Sequence, residues 1–277
     1  MDKLFIALQA LLPQHGLSRL IGKLADLERP AFLKNLLVKL FMRTYGISLA
    51  EAEHTEAQDY PTFNAFFTRA LKAGARPLGD SRYLQPADGV LSQCGRVDDG
   101  QLLQAKGRVY SSQALLGGSA EEAARFDQGA FATVYLSPKD YHRVHMPISG
   151  TLKMTRYVPG QLFAVNTTTA NGINALYARN ERLVCLFDTA DGELAVVLVG
   201  AIIVAGITTV WGGVEAPTPS DIREQHFAPG EQPTLAAGDE LGRFFLGSTV
   251  VLLSERGDLN WQAAAGDSVQ VLAALAD

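Results

Sequence analysis

Apolar residues recur three and four positions apart through the first 75 residues, then gather into short, punctuated runs to the end of the chain. Leu4, Leu8, Leu11 and Leu12 share one helical face, as do Leu17, Leu20, Ile21 and Leu24 after Pro13 and Gly16 break the pattern. Between Phe32 and Tyr45, Leu33, Leu36, Leu37, Leu40 and Phe41 line one side, while Lys34, Lys39 and Arg43 fall elsewhere. A fourth helix is predicted after Pro61, where Phe63, Phe66 and Phe67 lead into Leu71. Beyond Arg76-Pro77 the texture changes. Apolar runs at Gly89–Val97, Ala130–Leu136, Gly150–Val158, Arg182–Phe187, Leu194–Val210, Phe244–Leu253 and Val269–Leu275 alternate with Asp-Gly, Gly-Gly, Pro-Gly and Gly-Asp pairs. That pattern predicts a mostly antiparallel β-body, with short helices at Ser111–Leu116 and Asn171–Arg179. The expected fold class is α+β: N-terminal amphipathic helices over residues 1–75, then a β-rich domain over 76–277.

Leu194–Val210 has no charge and could be taken for a membrane span. Ten of its seventeen residues are β-branched, Gly200 and Gly206 interrupt it, and a spanning helix wants about 20 apolar residues, so buried strands are expected. With 277 residues, 47% hydrophobic and 19% charged, the chain can bury a sizeable core and is not globally disordered. Cys94 and Cys185 form no CxxC or zinc-ligand spacing and are expected as two reduced thiols. After Met1-Asp2-Lys3 no small-residue cleavage site follows a clean apolar stretch, so no secretory signal is expected.

The net charge of −5 conceals an asymmetry. Residues 1–45 carry a net +4, from Lys3, Arg19, Lys23, Arg29, Lys34, Lys39 and Arg43 against Asp2, Asp26 and Glu28, which leaves −9 on the remainder. A basic end on an acidic body suits an anionic surface, a membrane rather than nucleic acid, since no strip of basic and aromatic residues follows to stack bases. Helices with leucine on one side and lysine or arginine on the other can lie in a lipid interface or simply pack on the body. The pattern alone leaves both open.

The sequence has no GxGxxG, no GxxxxGK[ST], no HExxH and no GxSxG. Three segments remain rich in reactive side chains. Pro86-Ala87-Asp88-Gly89 places an acid at a turn before a strand, although Asp-Gly is also an ordinary turn pair. Asp140-Tyr141-His142-Arg143-Val144-His145-Met146-Pro147 holds two of the five histidines, suited to proton transfer and lacking a third ligand at zinc spacing. Leu246-Gly247-Ser248-Thr249 sits inside an apolar run, where a Gly-Ser pair is commonly a bulge. It also permits a particular reaction. A serine hydroxyl can attack the unhindered carbonyl of a preceding glycine to give an ester, and β-elimination then breaks the chain and leaves dehydroalanine, which hydrolyses to a pyruvoyl group. That reaction needs a base and a carboxylate to orient it, and Asp88, one of the two histidines and Ser248 would supply the set.

These three segments, in this order, resemble the signature of the bacterial and mitochondrial phosphatidylserine decarboxylases. Phe63-Asn64-Ala65-Phe66-Phe67 with Arg69, Gly74-Ala75-Arg76-Pro77-Leu78, Ala105-Lys106-Gly107, Val158-Pro159-Gly160 with Leu162-Phe163, and Ala178-Arg179-Asn180-Glu181-Arg182 are similar too. The resemblance implies a proenzyme cut after Gly247 into a β chain of residues 1–247 and an α chain of residues 248–277, which stay together as a heterodimer. It leaves room for a higher homo-oligomer. Ser248 is then the self-cleavage nucleophile and afterwards the covalent pyruvoyl cofactor, His145 the base, Asp88 its orienting acid, and His142 a proton donor in decarboxylation, with Asp140 positioning the loop. No metal is implied. The implied reaction converts phosphatidylserine to phosphatidylethanolamine through a Schiff base on the pyruvoyl carbonyl, as a step of phospholipid biosynthesis. A lipid substrate implies a peripheral location on the cell membrane, with the N-terminal helices touching an anionic lipid surface, and the lack of a transit segment suggests its cytoplasmic side. Other readings of the same residues are a hydrolase with a stable Ser-His-Asp triad, a non-catalytic lipid-binding protein, and a pyruvoyl decarboxylase of a soluble amino acid.

Overall fold

A computed structural model describes residues 6–9, 12–202, 206–215, 221–228, 230–245 and 247–277; Leu4, Leu11 and Leu246 lie outside that set. Its centre is a nine-stranded antiparallel sheet. From one edge the strands run Arg223–His226, Gly150–Val158, Arg182–Thr189, Gly192–Gly200, Ser248–Ser254, Ala130–Leu136, Gly89–Arg96 and Ser268–Val269, with Thr234–Leu235 also pairing to Gly150–Val158. A four-stranded sheet of Gly213–Glu215, Gly206–Thr209, Glu240–Phe245 and Arg143–His145 accompanies it.

Both faces of the central sheet are covered, so its inner strands read as unbroken apolar runs. One face presents Leu183, Cys185, Val196, Leu198, Val250 and Leu252 to Val144, Ile207 and Phe244 of the smaller sheet and to Met146 just after it. The other presents Val184, Leu186, Val197, Val199, Val251 and Leu253 to short helices and loops that carry Leu115, Leu116, Phe163 and Tyr177. This double burial explains Leu194–Val210: two strands, Gly192–Gly200 and Gly206–Thr209, lie in different sheets, and residues 203–205 between them are outside the described set. Phe244–Leu253, one apolar run in the sequence, is divided in the same way. Glu240–Phe245 belongs to the smaller sheet and Ser248–Ser254 to the central one, so the apolar run spans two sheets. The helix expected over Asn171–Arg179 is two short ones, Thr167–Gly172 and Leu176–Arg179. Both cysteines are free.

The N-terminal helices Gln14–Ala25 and Ala31–Tyr45 are turned opposite to those of a soluble bundle. The first buries Gln14, Ser18, Gly22 and Ala25, and the second buries Lys34 and Val38. Leu20, Leu24, Leu27, Phe32, Leu33, Leu36, Leu37 and Leu40 stay exposed. The polar inward positions have partners. Gln14 Oε1 accepts from Leu162 N at 2.8 Å, Gln9 Oε1 from Ala164 N at 2.8 Å, and Lys34 Nζ donates to the carbonyls of Ala57 and Tyr60. Val38, Phe63, Phe66 and Phe67 form a separate aromatic-rich core with Phe41 against it, and Thr62 caps the short helix Phe63–Phe67 through Ala65 N. No helix among the described residues is long and apolar enough to cross a membrane.

Candidate active site

Ser248 is the first residue of the strand at the middle of the central sheet, opposite Leu136 on one side and Gly200 on the other. Side chains alternate along a strand, so Ser248 shares the face of Val250 and Leu252, toward the smaller sheet. Its hydroxyl is buried and has no hydrogen-bond partner among the described residues. A buried, unpaired hydroxyl costs free energy, and His142 Nε2 and Thr249 Oγ1 are among the other described atoms in that state. Gly247 precedes it with φ +78°, in the left-handed region that glycine reaches without strain, and a side chain there would meet nothing within 4 Å. The acyl group facing Ser248 is therefore unhindered.

His142 extends the Arg143–His145 strand, with its carbonyl accepting from Phe244 N at 3.0 Å. Strand alternation decides what the sequence could not: two histidines three apart point to opposite sides. His142 goes with Val144 and Met146 into the core between the sheets, the side that Ser248 faces. Its Nδ1 lies 2.8 Å from the Asp140 carbonyl, which can only accept, so Nδ1 carries the proton and Nε2 keeps its lone pair. That Nε2 is buried without a partner among the described residues. Burial pushes the His142 imidazole down to about 3, against the pull of the Asp140 carbonyl, so it is neutral at physiological pH. The Phe67 ring lies 4.0 Å from it, centroid to centroid. The Asp140 carboxylate is turned away and accepts from Ser137 N and Oγ at 2.7 Å each, which fixes the loop.

His145 faces the other side, into a cavity of about 250 Å3 lined by Lys72, Arg76, Tyr141, Arg143, Glu240 and Val271 among others. Its backbone N–H donates to Pro86 O at 2.8 Å, which draws the Asp88 turn to the same corner. Its Nδ1 donates to Gly238 O at 2.8 Å, so Nε2, 3.0 Å from the Tyr141 hydroxyl, accepts from it. Burial lowers the imidazole's affinity for a proton, and the Gly238 carbonyl works against that. Asp88 is held from two directions, by Arg76 Nη2 at 3.0 Å on Oδ2 and by Val271 N at 2.8 Å on Oδ1. Gly89 follows because a side chain there would strike Tyr135 O at 2.1 Å.

The structure thus brings Asp88 and His145 to one corner, and Ser248 and His142 to one face. No hydrogen bond joins Asp88 to His145 or Ser248 to either histidine, so the relay expected from the sequence is not closed in the uncut chain. Arg76 holds Asp88, and Tyr141 holds His145 Nε2, contacts that the sequence does not announce. An arginine beside a proline and a tyrosine beside a histidine carry no signal of their partners until the chain is folded. No group of three or more His, Cys, Asp or Glu among the described residues is placed to hold a metal ion.

Comparison with known proteins is consistent along the chain. A family model described as phosphatidylserine decarboxylase matches residues 63–276, and a second, described as PSD, matches residues 4–46. The phosphatidylserine decarboxylase proenzyme of Alcanivorax borkumensis is 56% identical over 259 residues, 92% of this chain and 89% of the relative. The proenzyme of the same name from Hahella chejuensis is 51% identical over 263 residues, covering 94% and 88% of the two chains. That of Ectopseudomonas mendocina is 53% identical over 276 residues, covering 98% and 96%.

Proposed function

The chain belongs to the phosphatidylserine decarboxylase family, and from that premise we propose that it is a proenzyme that cuts itself between Gly247 and Ser248 and then decarboxylates phosphatidylserine to phosphatidylethanolamine. The observation that carries this is Ser248 itself: a buried hydroxyl without a partner, directly after an unhindered glycine at the corner between two sheets.

In self-cleavage, Ser248 Oγ attacks the Gly247 carbonyl carbon, its proton passes to a base, and the C–N bond gives way to an ester. Loss of the Ser248 Cα proton then expels Gly247 as a carboxylate, the new end of the β chain, and the dehydroalanine left behind takes up water and loses ammonia. The base in this reading is His145, with Asp88 as the neighbouring carboxylate. Tyr141 must release His145 Nε2 before it can accept the serine proton. A second reading makes His142 the base of self-cleavage, because its free Nε2 and Ser248 Oγ face the same core.

The residues around Ser248 fit a pyruvoyl group formed in place. The position is sealed from solvent, and the strand that starts there is paired on both sides, so the new α-chain terminus stays where the serine was. When present, that group supplies a carbonyl that condenses with the substrate amine and draws off the electrons left when CO2 departs. The chain's own part is proton transfer. The substrate's ammonium is not nucleophilic until it loses a proton. His142, neutral by burial, can accept that proton at Nε2 and return it to the carbon from which CO2 has left. Misplaced return would inactivate the enzyme, which gives a reason for holding the ring rigidly. The outward leucines of the N-terminal helices, flanked by exposed Arg19, Lys23, Arg29, Lys39 and Arg43, support peripheral docking on an anionic leaflet of the cell membrane, where the lipid substrate resides.

Intact mass under denaturing conditions tests the proposal on wild type, Ser248→Ala, His145→Ala and His142→Ala. Wild type is expected as two chains split after Gly247, the smaller blocked by a pyruvoyl in place of a serine amine, with Ser248→Ala uncut. An active wild type found as one uncut chain rejects the mechanism. His145→Ala uncut together with His142→Ala cut but inactive supports the first assignment, and the converse supports the second.

A further inference from the structure

The Phe63–Phe67 helix and the two residues after it touch the His142 turn at four points. Phe67 lies against the imidazole at 4.0 Å between centroids. Arg69 Nη2 donates to the Lys139 carbonyl at 3.1 Å and to the Asp140 carbonyl at 3.3 Å. Arg143, beside His142, returns the contact by donating from Nε to Thr68 O at 2.9 Å. Arg69 is only 7% exposed, and its guanidinium lies over the Phe66 ring at 5.7 Å. Taking a cation out of water is expensive, and the hydrogen bonds given to Arg69 here go to carbonyls of the catalytic loop, not to a carboxylate. An apolar residue could fill the space at lower cost. The arrangement is one that secures a loop rather than one that maximises stability.

The Asp140 carbonyl is the shared element. It accepts from Arg69 Nη2 and also from His142 Nδ1–H at 2.8 Å. We propose that Arg69 is a positioning residue for His142: by anchoring the Lys139 and Asp140 carbonyls it fixes the Nδ1–H tautomer and ring orientation, and so keeps the Nε2 lone pair aimed at the reacting groups. The inference rests on the role given above to His142 in decarboxylation. The electrostatics are secondary, since burial already keeps the ring neutral at physiological pH. The groups facing the ring are the Phe67 side chain, the Asp140 carbonyl and the Arg69 cation, while the Asp140 carboxylate is occupied by Ser137. After burial, which dominates, and against the Asp140 carbonyl, Arg69 adds a repulsion that keeps the imidazole neutral. A neutral ring is the form able to take a proton from the substrate.

The test uses full-length protein carrying Arg69→Met, Arg69→Lys, His142→Ala and the two Arg69/His142 double substitutions. Self-cleavage is scored by mass, and kcat, KM and the pH profile are measured on phosphatidylserine in mixed micelles. Arg69→Met is expected to cut itself, to keep KM, and to lose kcat by about tenfold to a hundredfold, up to the lower end of the roughly hundredfold to ten-thousandfold that proton transfer contributes. The acid limb of its kcat profile is expected to move to higher pH, because the repulsion is gone and the Asp140 carbonyl is free to favour the protonated ring. Arg69→Lys, which keeps the cation and loses the fork, is expected to recover part of kcat and to return the acid limb toward wild type. It carries the test if the Met chain does not fold. Each double variant is expected to be no slower than His142→Ala alone. Wild-type kcat in both Arg69 variants, losses that multiply with His142→Ala, or a folded but uncut Arg69→Lys chain would each overturn the proposal alone. Wild-type kcat in His142→Ala would overturn the reading beneath it, and this proposal with it.

Discussion

At the scale of single residues, burial sets the titration behaviour of this protein more than ion pairing does. His142 and His145 are both held toward the neutral form by desolvation. Glu181 is the mirror case: nearly sealed from solvent, its carboxyl is raised by burial to about 7, with a hydrogen bond from Tyr157 opposing the shift. Its nearest basic partner is His15 Nδ1 at 3.8 Å, on the first N-terminal helix. A folded-state value above the unfolded 4.5 means the native state binds the proton more tightly, so the stability Glu181 contributes is complete below pH 4.5 and is lost as pH rises through about 7. Glu181→Gln removes the charge and keeps the shape. The difference in Tm between this variant and wild type should therefore be more positive at pH 8 than at pH 5, and equal differences at the two pH values would contradict the assignment.

At the scale of elements, the strand Ser248–Ser254 would keep the protein folded after the proposed cut between Gly247 and Ser248. It lies between Gly192–Gly200 and Ala130–Leu136 and is paired along its whole length with both. A break before its first residue removes none of those pairs. Val250, Val251, Leu252 and Leu253 are all buried, each contributing about 1.5–3 kcal/mol when wholly removed from water. The C-terminal segment adds Ser268–Val269 on the Gly89–Arg96 edge and Ala274–Ala276 on Tyr83–Leu84. The cut protein should accordingly run as a single species of α plus β chain in native mass spectrometry and separate only in denaturant. A free α chain under native conditions would refute this account of cohesion.

At the scale of the whole molecule, the N-terminal helices present an apolar surface outward and connect it inward to the proposed catalytic turn through Phe41, Phe67 and His142. Leu36 and Leu37 are 51% and 47% exposed, so replacing both by Asn should leave the core intact. A leucine fully removed from water gains about 1.5–3 kcal/mol, against about 1 kcal/mol for a lysine or arginine near an anionic surface. In the proposed docking, insertion of leucines would outweigh charge, and salt should weaken it without abolishing it. The double Asn variant is expected to lose flotation with anionic vesicles and to lose activity on vesicle substrate while still cutting itself. Undiminished flotation of that variant would reject the docking surface.

The chain's local chemistry determined the α+β class, the leucine periodicity of the N-terminal helices, and the three segments that hold Asp88, His142, His145 and Ser248, because spacing and turn residues are written in consecutive positions. Three matters were decided only by packing. The direction of the leucine face depended on Gln14 accepting from Leu162 N on the β-body and on Lys34 reaching the Ala57 and Tyr60 carbonyls, and an amphipathic pattern does not say which side faces a protein. The break at Gly247 depended on neighbouring strands changing sheets together, which an unbroken apolar run conceals. Which histidine shares a face with Ser248 depended on Tyr141–His145 being extended, since residues three apart lie together on a helix and on opposite sides of a strand. Arg69 and Arg76 gained their contacts for the same reason: hydrogen bonds between residues 12 to 71 positions apart exist only once the tertiary structure has formed.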